Sequence, residues 1–427
     1  MVPSCEPTDI PSLADRFIRV RGFTEELARP LSPEDCGLQS MPDASPTKWH
    51  LAHTSWFFEA LVLAPAGERP FDPAFGFLFN SYYEAIGPRH ARPRRGLLSR
   101  PSLAEVLAYR ADVDRRVRAL LDRMASGEHP ELRSLIELGI HHEQQHQELI
   151  LTDIKHALGE SPLHPAYRVS KAQVAPARPA AAKLGWTLHG EGVFSIGHPG
   201  AGFAFDNEAP RHRVHLAAFG LADRLVTCGE VLEFIADRGY ARPELWLSDG
   251  WAAARTEGWE APLHWVPRDG GFAVFSLDGV RALDPDEPAC HLSYFEADAF
   301  ARWAGARLPT EAEWEVVAAG APLRGNFAES GALHPTAAPT PVTPADGPRQ
   351  LFGDAWEWTA SAYLPYPGFR PWEGAVGEYN GKFMSGQMVL RGGSCATPES
   401  HVRASYRNFF PPGARWQFSG VRLARDA

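Results

Sequence analysis

Ile140-His141-His142-Glu143-Gln144-Gln145-His146-Gln147-Glu148-Leu149 lies in a run from Leu132 to Leu158 that has no proline and one internal glycine, Gly139. Leu135, Leu138, His142, Gln145 and Leu149 are spaced three or four apart, so on a helix they share one stripe. His146 follows His142 by four residues and sits one turn away on the same side. Two imidazoles so placed on a buried face can share a divalent metal. Gly159 is the expected end of the helix, in the position after the last helical residue.

A third ligand is found upstream. Trp49-His50-Leu51-Ala52-His53-Thr54-Ser55-Trp56-Phe57-Phe58 reads as a second helix, with Trp49, His53, Trp56 and Ala60 as its apolar stripe. His53 is the polar residue of that stripe. A neutral set of three histidines leaves metal positions open for substrate and dioxygen. The bland alternative is three hydrogen-bonded core histidines without metal. Their pairing and their aromatic-rich helices favour the metal.

The same letters also spell His-Glu-x-x-His, in which Glu143 would be the general base of a zinc hydrolase. The extended form of that motif is broken. Leu149 stands where a glycine is needed and Thr152 where a third histidine is needed; His156 and Glu160 remain as loose candidates.

Four helices are expected in residues 8 to about 160. The first covers about Ile10 to Leu27, the second carries His53, and the third runs from the capping box Ser102-Leu103-Ala104-Glu105 to about Met124. The fourth carries His142 and His146. Four such helices make a bundle, and facing bundle helices are a usual place for a metal site. A connection of about Pro65 to Arg100 is long enough to imply a function. It holds Tyr82 and Tyr83, which offer phenolic protons, and Arg89, Arg92, Arg94, Arg95 and Arg100, which offer forks for carboxylates.

Residues 166–184 are rich in Ala and Pro and read as a linker between a bundle domain, 1–165, and a second domain, 185–427. After Gly185 the texture becomes short strands and Gly/Trp turns, with helices expected from Thr227 to Arg238, from Ser293 to Ala304, and after Thr310. At 427 residues the chain has length for two or three domains. With 44% hydrophobic and 22% charged residues it is an ordinary soluble composition, and a net charge of −10 argues against a general nucleic-acid surface. No apolar stretch reaches the roughly 20 residues of a membrane span, and no membrane partner is expected. The N-terminus lacks a charged-then-apolar signal, and five scattered cysteines without C-x-x-C fit a reducing cytoplasm.

The second half resembles the formylglycine-generating-enzyme (sulfatase-modifying factor) family, a C-type-lectin-like α+β fold. The resemblance rests on Arg307-Leu308-Pro309-Thr310-Glu311-Ala312-Glu313-Trp314-Glu315, Gly353 to Thr359, Arg391-Gly392-Gly393-Ser394 and Gly420-Val421-Arg422-Leu423-Ala424. The first half resembles DinB-like metal-binding bundles. Together, in this order, they resemble the non-heme iron sulfoxide synthases of ergothioneine biosynthesis, with Lys48 to Phe58, His142 to Leu149 and Ser405-Tyr406-Arg407-Asn408-Phe409-Phe410 as the matching segments.

The resemblance implies an enzyme that uses Fe(II) and dioxygen to join a thiol sulfur to C2 of the imidazole of hercynine, the Nα-trimethyl form of histidine. It implies iron held by His53, His142 and His146, a proton donor among Tyr82 and Tyr83, and Gln145 as hydrogen-bond partner of hercynine. Asn408, Phe409 and Trp416 match the segment that receives the quaternary ammonium, which needs a π face or a carbonyl dipole. Arg92 and Arg95 are the choice for a substrate carboxylate.

The branch that uses γ-glutamylcysteine has an acidic residue where Phe410 stands and an arginine where Ala414 stands, with Arg415 next to it. The departures favour free cysteine, or another small donor, over the γ-glutamyl dipeptide. A related branch that couples a selenosugar to hercynine, giving selenoneine, is an alternative, as is the zinc hydrolase. A non-catalytic bundle with a lectin-like binding module is the third reading. Cys395 alone follows the Gly-Gly-Ser, where the formylglycine-generating enzymes have a cysteine pair, so their copper chemistry is not expected. An added methyltransferase domain of the ovothiol type is not expected either.

Overall fold

The computed structural model describes residues 12–168, 183–339 and 347–427. The chain divides into two compact units, Met1–Ile150 and Leu151–Ala427. Most of the expected linker lies outside the described residues.

The first unit is built on α1 (Leu13–Ala28), α2 (Thr47–Phe58), a single turn α3 (Phe75–Leu78), α4 (Leu103–Ala125) and α5 (Arg133–Gly159), which continues into the second unit. Capping boxes start α1 at Ser12 and Asp15 and α4 at Ser102 and Glu105. Two helices differ from the one-stripe expectation. Every residue of α2 from Trp49 to Phe58 is buried, so it is the central helix of the unit and presents no solvent face. On α5, Leu135, Gln145 and Leu149 are half-buried, whereas Ile136, Ile140, Glu143, Gln147 and Ile150 are buried. The core-facing surface of α5 is therefore wider than the predicted stripe and centred to one side of it. Gly139 lies on that surface. A Cβ there would come within 2.5 Å of Phe58 Cε1, so glycine is what allows α5 to approach α2.

α2 ends in a π-helical turn, Glu59–Leu63, in which Ala64 N–H donates to the Glu59 carbonyl five residues back. The buried Glu59 carboxylate accepts from Tyr109 Oη at 2.8 Å, Arg116 Nη2 at 2.6 Å and Phe71 N–H at 2.8 Å. The turn thus fixes the start of the long connection that follows.

The second unit mixes short helices with small sheets. α6 (Cys228–Ala236), α8 (Tyr294–Trp303) and α9 (Glu311–Ala318) lie where helices were expected, and the structure shows each to start with a capping box, at Thr227, Ser293 and Thr310. α7 (Ser248–Glu257) was not expected. One sheet places strand Phe219–Ala222 between Trp186–His189 and Ala424–Asp426, antiparallel to both. Another orders Asn408–Phe410, Met388–Arg391, Trp356–Ala362 and Ser419–Gly420, with the last pair parallel.

The four fingerprint segments of this unit turn out to hold one another. Arg391 Nη2 lies 2.9 Å from Glu311 Oε2 and 3.0 Å from Glu315 Oε2, and Arg407 Nε donates to Glu311 Oε2 at 2.9 Å. Trp314 Nε1 donates to Glu357 at 2.7 Å, and Arg422 closes on both oxygens of the same carboxylate at 2.8 and 2.9 Å. A buried ion network of this kind fixes one register, because each charge is costly without its partner. Gly392, at φ +98°, adds a steric condition: a Cβ there would lie 2.6 Å from the Leu351 carbonyl.

Candidate metal centre

Three imidazoles from two helices converge in the first unit. One ligand atom each from His53 on α2 and His142 and His146 on α5 lie within 4.8 Å of one another, and all three residues are buried. Among the described residues this is the one such trio of His, Cys, Asp and Glu side chains. His53 Nε2 and His142 Nε2 are 3.2 Å apart.

The ring orientations suit metal binding. His53 Nδ1 lies 2.6 Å from the Phe79 carbonyl, which can accept only if Nδ1 carries the proton. That tautomer leaves Nε2 as the lone-pair nitrogen facing His142. His146 Nδ1 meets His50 Nδ1 at 2.8 Å, a contact that can play the same part for His146. Burial depresses all three pKa values. His142 is held at about 3, and His53 and His146 lie well below the ordinary value because burial is reinforced by the neighbouring imidazoles. A neutral buried trio, with the Nδ1 edges of His53 and His146 tied back, turns ring nitrogens toward one point, which is what a divalent ion of the first transition row requires.

Aromatic faces hold the rings. His53 is stacked between Trp49, at 4.5 Å and 13°, and Trp56, at 5.5 Å and 14°. His142 is stacked on Phe57 at 4.4 Å. Tyr83, 3% exposed, packs against Trp56 at 5.6 Å and Phe57 at 6.2 Å, so it belongs to the shell that flanks both ligands. Tyr82 is half-buried, and its phenolic oxygen accepts from Arg92 Nη1 at 2.7 Å. Gln145, half-buried, lies on α5 between the two α5 ligands in sequence.

Glu143 is turned to another duty. Its carboxylate pairs with Arg21 Nη1 at 2.9 Å and with Arg110 Nη2, and accepts from Thr24 Oγ1 at 2.7 Å. Arg21 also pairs with Asp114 at 2.6 Å. Burial would raise the Glu143 pKa, but Arg110 and Arg21 outweigh it and leave it at about 2. A carboxylate held by two guanidiniums is a poor general base, which removes the group the zinc-hydrolase reading needs.

The arginines of the long connection divide. Arg89 is exposed and Arg92 half-buried, whereas Arg95 is 4% exposed, with its fork on Ser45 Oγ at 2.9 Å and Ser81 Oγ at 3.2 Å. Arg95 is therefore placed differently from the accessible fork expected for a substrate carboxylate. In the second unit, Asn408 and Phe409 are half-buried. Phe409 is stacked on Tyr363 at 4.1 Å, and Trp416, 9% exposed, meets Phe410 edge-on at 5.6 Å. Among the described residues, buried Trp416 Nε1 meets no hydrogen-bond acceptor. Sequence reading passed over His50 and the Phe79 carbonyl. His50 had a signal, a second histidine three residues before His53 in the same helix. A backbone carbonyl has none.

The sulfatase-modifying factor enzyme 1-like domain family model matches residues 186–427, and that of the DinB superfamily matches residues 16–150. A hercynine oxygenase of Mycolicibacterium thermoresistibile is 37% identical over 90% of this chain and 88% of its own length. One from Mycobacterium tuberculosis is 35% identical over 97% of this chain and 98% of its own. The ergothioneine biosynthesis protein 1 of Schizosaccharomyces pombe is 29% identical over 52% of this chain and 28% of its own length. Bundle and lectin-like domain in one order, matched over nearly the whole chain by the two hercynine oxygenases, mean that this chain belongs to the hercynine oxygenase family.

Proposed function

We propose that this chain is an Fe(II)- and dioxygen-dependent sulfoxide synthase of ergothioneine biosynthesis that couples a thiol, free cysteine, to imidazole C2 of hercynine. The observation that carries the reading is the convergence of three neutral, buried imidazole nitrogens within 4.8 Å. Histidines add no negative charge, so a bound divalent ion keeps its full charge for an anionic thiolate. A three-histidine set also leaves positions for two substrates and dioxygen.

In balance, the thiol S–H and the imidazole C2–H bonds break, and a C–S bond and an S–O bond form. Dioxygen takes up four electrons; one oxygen atom enters the sulfoxide and the other leaves as water. Iron supplies the site at which dioxygen is activated beside the thiolate. The chain's own groups set the conditions. His53, His142 and His146 hold the ion by nitrogens that the Phe79 carbonyl and His50 help to aim. Trp49, Trp56 and Phe57 keep bulk water from the ligand side. Tyr82 and Tyr83 hold phenolic protons for the oxygen-derived product, a role that directs oxidation away from the thiol alone. Gln145 offers an amide to the second imidazole nitrogen of hercynine.

Free cysteine is favoured by the second unit. Arg415, the nearest cation to the arginine position of the γ-glutamyl branch, is committed to the buried Glu296 at 2.7 and 3.0 Å and lies 4.4 Å over Trp259. The test is a mass-spectrometric competition in which the Fe(II)-loaded protein receives hercynine, oxygen, cysteine, γ-glutamylcysteine and a selenosugar together. Hercynyl-cysteine sulfoxide is the expected product. A dipeptide or selenium adduct keeps the enzyme class and overturns the donor; no coupled product overturns the function.

A further inference from the structure

We infer that Arg95 is a positioning residue for the metal ligand His53, acting as a clamp on the two elements that fix its ring. The inference rests on the metal-binding role of the histidine trio. Arg95 sits in a short 3-10 turn, Arg92–Leu97, late in the long connection. Its guanidinium carbon lies 3.4 Å from the centre of the Trp49 ring, and Trp49 is in turn stacked on His53 at 4.5 Å. The two arms of the fork go in different directions. Nη1 donates to Ser45 Oγ, just before Pro46, which caps the N-terminus of α2; α2 carries both Trp49 and His53. Nη2 donates to Ser81 Oγ, two residues after Phe79, whose carbonyl takes the Nδ1 proton of His53. Trp49 Nε1 donates to the Leu78 carbonyl at 3.2 Å and closes the loop between the same two segments.

One planar cation therefore sets the gap between the start of α2 and the 78–81 segment, and with it the tilt of the His53 ring and the reach of the carbonyl that selects its tautomer. The role needs a planar face for Trp49 and two divergent N–H arms for two serines. Arginine has both and lysine has neither. Outer groups that orient a ligand imidazole are typically worth about 10- to 100-fold in metal affinity.

The experiment measures Co(II) binding by the full chain, through the visible absorption of the bound ion, in Arg95→Met, Arg95→Lys, Arg92→Met and Ser81→Ala. Circular dichroism checks that each variant is folded. The clamp predicts weakening of roughly 10- to 100-fold with an altered cobalt spectrum in both Arg95 variants, a smaller loss in Ser81→Ala, and parent-like binding in Arg92→Met. With iron, it predicts a loss in kcat and an unchanged KM for the thiol at saturating metal. If Arg95 served a substrate carboxylate instead, both variants would bind Co(II) as the parent does, the thiol KM would rise, and lysine would partly rescue. Parent-like cobalt affinity in Arg95→Met overturns the clamp alone. A parent chain that binds no Co(II) overturns the clamp together with the metal reading on which it rests. Should Arg95→Met fail to fold, Ser81→Ala decides: unchanged cobalt affinity and spectrum there overturn the clamp.

Discussion

Glu143→Gln separates the buried hub from the hydrolase that the letters His-Glu-x-x-His evoke. The substitution keeps shape and can keep the hydrogen bond from Thr24 Oγ1, but it removes the charge that Arg21 and Arg110 share. Both guanidiniums are essentially buried. Arg21 retains Asp114 at 2.6 Å, and Arg110 retains Glu25 at 3.2 Å, a half-exposed and hence screened partner. One buried positive charge is left without a buried counterpart, a change that costs about 3–5 kcal/mol. For a unit of this size each kcal/mol moves the midpoint by roughly 2–4 °C, so a fall of about 6–20 °C is expected. Thermal unfolding of the metal-free chain, followed by circular dichroism at pH 7, reads it. The pH dependence gives a second readout. The Glu143 pKa is depressed to about 2 from its ordinary 4.5, so its contribution is complete above pH 4.5 and is lost as the pH falls toward 2. The glutamine variant should lack that part of the acid loss. A variant that melts within about 2 °C of the parent while losing only activity would refute the hub and restore Glu143 as a base.

Tyr82→Phe and Tyr83→Phe should each divert product from C–S coupling toward oxidised thiol, on the order of 100-fold for the residue that donates the proton; mass spectrometry of the two products reads the ratio, and an unchanged ratio in both variants removes the role. Lys155, fully buried in the second unit with Nζ 2.6 Å from His291 Nε2 and 4.7 Å over Phe418, has its pKa pushed by burial from 10.5 down to about 8. Between those values the unfolded chain holds the proton that the folded chain has released, so this group makes stability rise with pH by about 3 kcal/mol in total. Urea titrations of the second unit's transition at pH 7.5, 9 and 10.5 should show that slope in the parent and lose it in Lys155→Met; equal slopes in the two proteins would contradict the burial argument.

What could be read in the sequence was the part that local spacing controls. The i, i+4 pair His142 and His146, the capping box at Ser102, the helix starts at Thr227, Ser293 and Thr310, and the fingerprint segments of the second unit all declare themselves over a few residues. The face of α5 did not, because the stripe rule assumes one solvent side and one core side. A helix that faces α2 with Gly139 and the guanidiniums with Glu143 buries more than one side. Arg95 shows the same limit. In sequence it is one of five arginines in a loop, and nothing nearby says that Ser45, some 50 residues earlier, will take one arm of its fork.

The His-Glu-x-x-His letters themselves come from two unrelated demands on adjacent faces of one helix. Metal ligation wants neutral imidazoles one turn apart, and His142 and His146 meet that at four residues. Ballast for Arg21 and Arg110 wants a carboxylate on the side turned toward α1 and α4, and Glu143 is rotated by about 100° from His142 on an ideal helix. In a hydrolase the glutamate must face the metal-bound water with its charge free. Here its charge is consumed by Arg21, more than a hundred residues away in sequence. A spacing pattern reports that side chains share a neighbourhood on a helix; which of them faces the ion depends on what the other helices present, and α1 and α4 present cations.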